Sequence, residues 1–209
     1  MQTLWTFGCS HTQGHGLPDC VNKTGDPINN ISSMAWPVHL GNLLNMPVQN
    51  ISHAGIGVKA VHVNVVQSPI APDDVIVIMW PDYASRIDVL LHPRSKSGHA
   101  MPIKAIRAWH EEDQDFFNKY YSMYDQIMTW HLLARHIQDN YSHQNKLIQT
   151  NYSKYEDMYP IPDALKVKFA ETHFGDSKYC DMPLAEDGHH NGVEAHEAFA
   201  QDLYAEAFS

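Results

Sequence analysis

The sequence predicts an α/β domain of three layers around a mainly parallel sheet, and three observations carry that expectation. Short apolar runs alternate with helical patterns along the chain, which is the order that βαβ units produce. The clearest run, Val75-Ile76-Val77-Ile78-Met79-Trp80, is continuously apolar rather than alternating. That pattern belongs to a strand covered on both faces, as in a parallel sheet between helices. The chain has 209 residues with no repeat, low-complexity stretch or linker, so residues 1–209 read as one domain able to bury a core without disulfides.

Taken in order, Thr3 to Phe7 is an apolar run stopped by Gly8 and reads as the first buried strand. Residues 15–32 are rich in Gly, Pro, Asp and Asn and read as a surface loop. Trp36 to Asn45 is helical, with Pro37 tolerated in the first turn. Val48 to Ile51 is the second strand, and Val58 to Val66 the next helix, ended by Ser68-Pro69. After the Val75–Trp80 strand, residues 81–112 form an excursion. Asp113 to Ile137 is the longest helical pattern, with Phe117, Tyr121, Tyr124, Met128 and Leu132 on its apolar face. Lys146 to Thr150 is the fourth strand, 152–184 shows no clean period, and Glu194 to Phe208 closes the chain as an amphipathic helix. In such sheets a site lies at the carboxyl ends of the strands, where Gly8, Gly55 and Trp80 fall.

Composition narrows the function. Net charge is -10 and the 14 Lys and Arg form no run or stripe, so a nucleic-acid partner is not expected. Mean hydropathy is -0.39, and the apolar runs fall far short of the ~20 residues that span a bilayer, so no membrane partner is expected. Cys9, Cys20 and Cys180 lack CxxC spacing, which argues against a disulfide framework or a cysteine-based zinc site. With no signal peptide before the first strand, a cytoplasmic location is expected. The 15 histidines invite a metal reading through His189, His190 and His196, but no HExxH or comparable spacing occurs. The expectation is therefore no metal and no cofactor.

Two motifs at opposite ends carry the chemistry. Phe7-Gly8-Cys9-Ser10-His11-Thr12-Gln13-Gly14 places a serine just past a strand, and Asp187-Gly188-His189-His190-Asn191 places an aspartate three residues before a histidine. An aspartate so spaced can fold back onto Nδ1 and leave Nε2 to deprotonate the serine. Nucleophile, base and orienter are then Ser10, His190 and Asp187, with His189 as the reserve base. On the residues alone, Ser10 reads equally as a helix N-cap, and Asp187 or Asn191 as a cap of the last helix.

The segment Gly8-Cys9-Ser10-His11-Thr12-Gln13-Gly14 resembles the Gly-Asp-Ser-x-x-x-Gly block of the SGNH (GDSL-like) hydrolases. Asp187-Gly188-His189-His190 resembles their closing Asp-x-x-His block, and Asn50-Ile51-Ser52-His53-Ala54-Gly55 the block whose glycine donates an N–H to the oxyanion. The resemblance implies a flavodoxin-like three-layer fold and ester hydrolysis through an acyl-enzyme. By position it makes Ser10, Asp187 and His190 the triad and the N–H groups of Ser10 and Gly55 the oxyanion donors. Cysteine at position 9, where the family has aspartate, resembles variants of phage-encoded proteins, for which the host cytoplasm or the virion is the expected location.

One departure bears on the chemistry. The family's third block supplies an asparagine donor after the central strand, where this chain has Pro81, and proline cannot donate. Tyr83 and Arg86 are the nearest substitute donors; Arg86 also reads as a surface ion pair with Asp82 or Asp88. The leading expectation is an esterase acting on a small ester such as an O-acetyl group on a carbohydrate, with Trp80, Tyr83 and Trp109 available for sugar stacking. The alternative is a non-catalytic or weakly active binding module on the same fold.

Overall fold

The computed structural model describes residues 1–22, 24, 26–82, 86–90, 103–152 and 160–209. Four parallel strands, β1 (Leu4–Gly8), β2 (Val48–Ser52), β3 (Val75–Trp80) and β6 (Lys146–Asn151), lie in the order β2-β1-β3-β6. Register pairs Phe7 with Ile51 and Ile78, and Trp80 with Asn151. All four carboxyl ends therefore meet at one edge.

The pleat sends alternate side chains of β3 to opposite faces, which makes the three layers. Ile76, Ile78 and Trp80 pack with Trp5 and Phe7 against helices α3 (Val58–Gln67) and α5 (Met123–Tyr141), through Val61, Val65, Ile127, Trp130 and Ala134. Val75, Val77 and Met79 pack against α2 (Trp36–Leu44) and α7 (Val193–Phe208), through Trp36, Leu40, Phe199, Ala200 and Leu203. Each such fully buried side chain stabilises the fold by about 1.5–3 kcal/mol. The doubly apolar reading of 75–80 thus rests on two helical layers.

Three sequence expectations change. Residues 113–137 form two helices, α4 (Gln114–Tyr120) and α5, because Tyr121 is extended and the Ser122 side chain accepts the Asp125 N–H to start a new helix. Ser-x-x-acid is a helix-start signal inside the longer period. The break shifts the helical phase, so Tyr124 and Leu132 are exposed while Gln126, Ile127, Trp130, His131, Ala134 and Ile137 are buried. Residues 15–32 are not wholly superficial, since Leu17 and Cys20 are buried and Leu17 clusters with Ala35 and Ala185.

The excursion at 81–112 contains an antiparallel pair, β4 (Arg86–Leu90) and β5 (Ile103–Arg107). Its Ile87 and Ile106 pack on Phe117 of α4. No helix among the described residues is long and apolar enough to cross a membrane.

Candidate active site

Ser10 opens the four-residue helix α1 (Ser10–Gln13) just beyond the end of β1. The cap position belongs to Cys9, and no side chain caps the helix. Ser10 is therefore not the N-cap. Its carbonyl accepts the N–H groups of Gly14 and His15, which turns the chain sharply and brings His11 and His15 beside the closing loop.

Asp187 does not cap α7 either. The cap there is Gly192, without a side-chain hydrogen bond. Asp187 Oδ1 instead accepts the N–H groups of His189 and His190, each at 3.0 Å, and Oδ2 lies 2.6 Å from His190 Nδ1. Burial pushes the Asp187 carboxyl upward, but the N–H groups of His190 and His189 and the His190 ring outweigh it and hold the group below its ordinary range. An ionised carboxylate only accepts, so the ring nitrogen facing it, Nδ1, carries a proton. His190 rather than His189 is thus the oriented histidine. Asn191 is buried and bridges Leu184, which keeps the loop in place.

The two loops meet directly. The Gly16 carbonyl accepts the Glu186 N–H at 2.9 Å, and the missing side chain of Gly16 leaves room for the Asp187 carboxylate. The His190 ring lies 5.0 Å from that of His11 and 5.2 Å from that of His15. Among the described residues no hydrogen bond joins Ser10 to His190. Such catalytic contacts commonly tighten only when substrate binds.

His11 stacks on Tyr152 at 4.2 Å and meets Phe174 edge-on at 5.7 Å. Burial, then the neighbouring His190, His196, Arg86 and His15, hold its pKa well below the ordinary histidine value. His15 is lowered by burial and by His190, against the opposing Asp187. On this side His190 therefore faces aromatic rings, two of them histidines whose basicity is lowered. His11 and His15 were within reach of sequence reasoning, since both flank Ser10; Tyr152 and Phe174 lie in the segment without periodicity and had no local signal.

His196, on α7, is a core residue. It is 1% exposed and its Nδ1 accepts the Trp36 N–H at 3.2 Å. Burial, with His39 and His190 adding, lowers its pKa to about 3. Among the described residues no three His, Cys, Asp or Glu side chains converge on a common metal position.

At the neighbouring strand end, Gly55 has φ +78°, a conformation that favours glycine. Asn50 Nδ2 donates to the Thr12 carbonyl at 2.8 Å, and Ser52 Oγ to Asn50 Oδ1 at 2.6 Å. These bonds tie the strand leading to Gly55 to the helix carrying Ser10. Pro81 is buried directly after β3.

Of the substitute donors, Tyr83 lies outside the described residues. Arg86 is buried, not a surface ion pair, and its Nη1 donates to the Ile56 carbonyl at 3.1 Å. Asp88, two residues on, accepts the Lys59 and Ala60 N–H groups at 2.7 and 3.4 Å and so holds the start of α3. Arg107, which no sequence signal marked, reaches the same turn: a methyl group on Gly55 would lie 3.4 Å from its Nη1. Of the aromatics, Trp80 is core, 1% exposed with Nε1 donating to Gln149 at 2.9 Å. Trp109 is 53% exposed and stacks under the Arg86 guanidinium, 5.2 Å away.

No protein-family model matches the sequence, and no curated protein matches it in sequence. Solved structures do match in fold. The acetyl xylan esterase variant Axe2-W215I from Geobacillus stearothermophilus is 14% identical with a TM-score of 0.53, covering 99% of this chain and 94% of its own. A protein described as lipolytic, of the G-D-S-L family, from Desulfitobacterium hafniense DCB-2 is 11% identical with a TM-score of 0.51, covering 99% and 98%. A family two carbohydrate esterase from Clostridium thermocellum, in complex with cellohexaose, is 14% identical with a TM-score of 0.52, covering 98% of this chain and 63% of its own. With its parallel sheet and helical layers, the chain has the SGNH (GDSL-like) hydrolase fold.

Proposed function

We propose that the protein is a serine esterase in which Ser10 is the nucleophile, His190 the base and Asp187 its orienter. The observation that supports this most is the Asp187–His190 hydrogen bond at 2.6 Å, on a loop packed against the turn that carries Ser10. Ser10 Oγ attacks the ester carbon while its proton passes to His190 Nε2, and the carbonyl electron pair moves onto oxygen. Collapse expels the alcohol, which takes the proton from His190 and leaves an acyl-serine. Water, deprotonated by the same Nε2, then releases the acid and restores Ser10. The N–H groups of Ser10 and Gly55 are the backbone donors to the oxyanion.

An O-acetyl group on a carbohydrate is the substrate we favour. Two of the fold neighbours are described as an acetyl xylan esterase and a carbohydrate esterase, and Trp109 presents an exposed ring for stacking on a sugar. A second reading, a binding module without efficient chemistry, is favoured by Pro81 alone.

The test is hydrolysis of p-nitrophenyl acetate, and acetate release from acetylated xylan, by wild type and Ser10→Ala, both shown to be folded. Serine-dependent turnover of both substrates is the expected result. Turnover of the aryl ester alone would discard the carbohydrate assignment. A folded wild type inert to both, and unlabelled at Ser10 by a fluorophosphonate, would leave the binding module as the better reading.

A further inference from the structure

The β4–β5 pair delivers a guanidinium without an ionic partner among the described residues to the turn that carries Gly55. Arg86 and Arg107 are register partners across the two strands, so their side chains leave the same face. Ile87 and Ile106, the next register pair, leave the opposite face and pack on Phe117. The strand pair is thereby anchored by its apolar side and offers its charged side to the Gly55–Ala60 turn. Arg86 is committed to the Ile56 carbonyl. Arg107 shows no such commitment among the described residues: its Nε, like that of Arg86, is buried without a hydrogen-bond partner, and neither a carbonyl nor a carboxylate there pairs with its guanidinium. Its own backbone N–H donates to Asp113 at 3.2 Å, which fixes the point from which the side chain reaches Gly55. A half-buried cation without a counter-charge is unfavourable until an anion arrives.

We propose that Arg107 is a catalytic oxyanion donor, supplying the side-chain contact that Pro81 cannot make. This rests on the reading of Ser10 as nucleophile and Gly55 as backbone donor. When Ser10 attacks, the negative charge formed on the former carbonyl oxygen meets the N–H groups of Ser10 and Gly55 and the Arg107 guanidinium together. No proton leaves Arg107, because the proton from Ser10 goes to His190. The ground-state carbonyl carries little charge, so the guanidinium favours the transition state over the bound ester.

The experiment is steady-state hydrolysis of p-nitrophenyl acetate by wild type, Ser10→Ala, Arg107→Ala, Arg107→Gln and Arg107→Lys, each checked for folding. Arg107→Ala is expected to lower kcat by about 10²–10³ with KM little changed. Arg107→Lys should recover part of that loss, and added free guanidinium should rescue Arg107→Ala, which a packing defect would not allow. If Arg107→Ala does not fold, Arg107→Gln and Arg107→Lys carry the same comparison. Unchanged kcat in the Arg107 variants of a protein whose turnover depends on Ser10 overturns the proposal and leaves the esterase reading intact. A rise in KM with kcat intact also overturns it, and assigns Arg107 to ground-state binding instead. Absence of Ser10-dependent turnover and of fluorophosphonate labelling in wild type removes the esterase reading, and this proposal with it.

Discussion

Gly16 and Asp187, far apart in sequence, share one volume: a methyl group on Gly16 would lie 2.5 Å from both Cγ and Oδ2 of Asp187. The carboxylate that orients His190 is thus seated by a glycine in the loop that follows Ser10. Gly16 also has φ +83°, so an added side chain is strained by the backbone as well as by the clash.

Gly16→Ala is expected to cost about 1–2 kcal/mol from the left-handed backbone alone. It should also push Asp187 off Nδ1 and lower turnover about 10²-fold, since displacement of an orienting group by an ångström has effects of that size. Thermal melts read alongside kcat check this. A stability loss with turnover intact would show that the contact serves the fold only.

Asp187→Asn should keep the fold and lower kcat by about 10⁴, because an amide no longer selects the Nδ1–H tautomer of His190. The depressed carboxyl pKa gives a further expectation. Its stabilising contribution is present above the ordinary value of 3.8 and disappears as pH falls through the lower folded value. An acid limb of the activity profile above pH ~4 therefore does not report Asp187. A pH–kcat/KM profile whose acid limb moves with Asp187 alone would contradict this.

His196 makes acid stability a test of its burial. Its pKa is about 3 in the fold against 6.5 in the unfolded chain, so the unfolded state takes the proton first as pH falls. Stability should decline from pH 6.5 toward pH 3, by at most on the order of 5 kcal/mol from this group, and level off below. His11, also held neutral by burial, acts in the same direction. His196→Asn retains an acceptor for the Trp36 N–H but cannot be protonated. It should cost about 1–3 kcal/mol at neutral pH through lost packing and show a shallower decline on acidification. Denaturant melts at pH 7 and at pH ~4.5 compare the two slopes; equal slopes would refute the assignment.

Much of the fold was legible because its signals are local. The apolar run at 75–80 could be buried on both faces only as a central strand, and Val48–Ser52 and Val193–Phe208 begin and end close to where composition and spacing place them. The break at Tyr121 is not legible in the period, because a Ser-x-x-Asp start at Ser122 lies inside a continuing helical pattern. The burial of Trp80 is not legible either, because a strand end says nothing about which layer its last side chain enters.

The sequence by itself determined the order of the four sheet strands and of helices α2, α3 and α7, the three-residue spacing of Asp187 and His190, and the placement of Ser10 past the first strand. Each depends on residues a few positions apart, whose backbone geometry is set by near neighbours. Only the tertiary structure decided that His196 is buried, that Arg86 is spent on Ile56, and that Arg107 stands at Gly55. Those facts depend on how an antiparallel strand pair docks on α4 and on the turn after β2. Docking of that kind is decided by packing between segments distant in the chain, and no local period or motif encodes it.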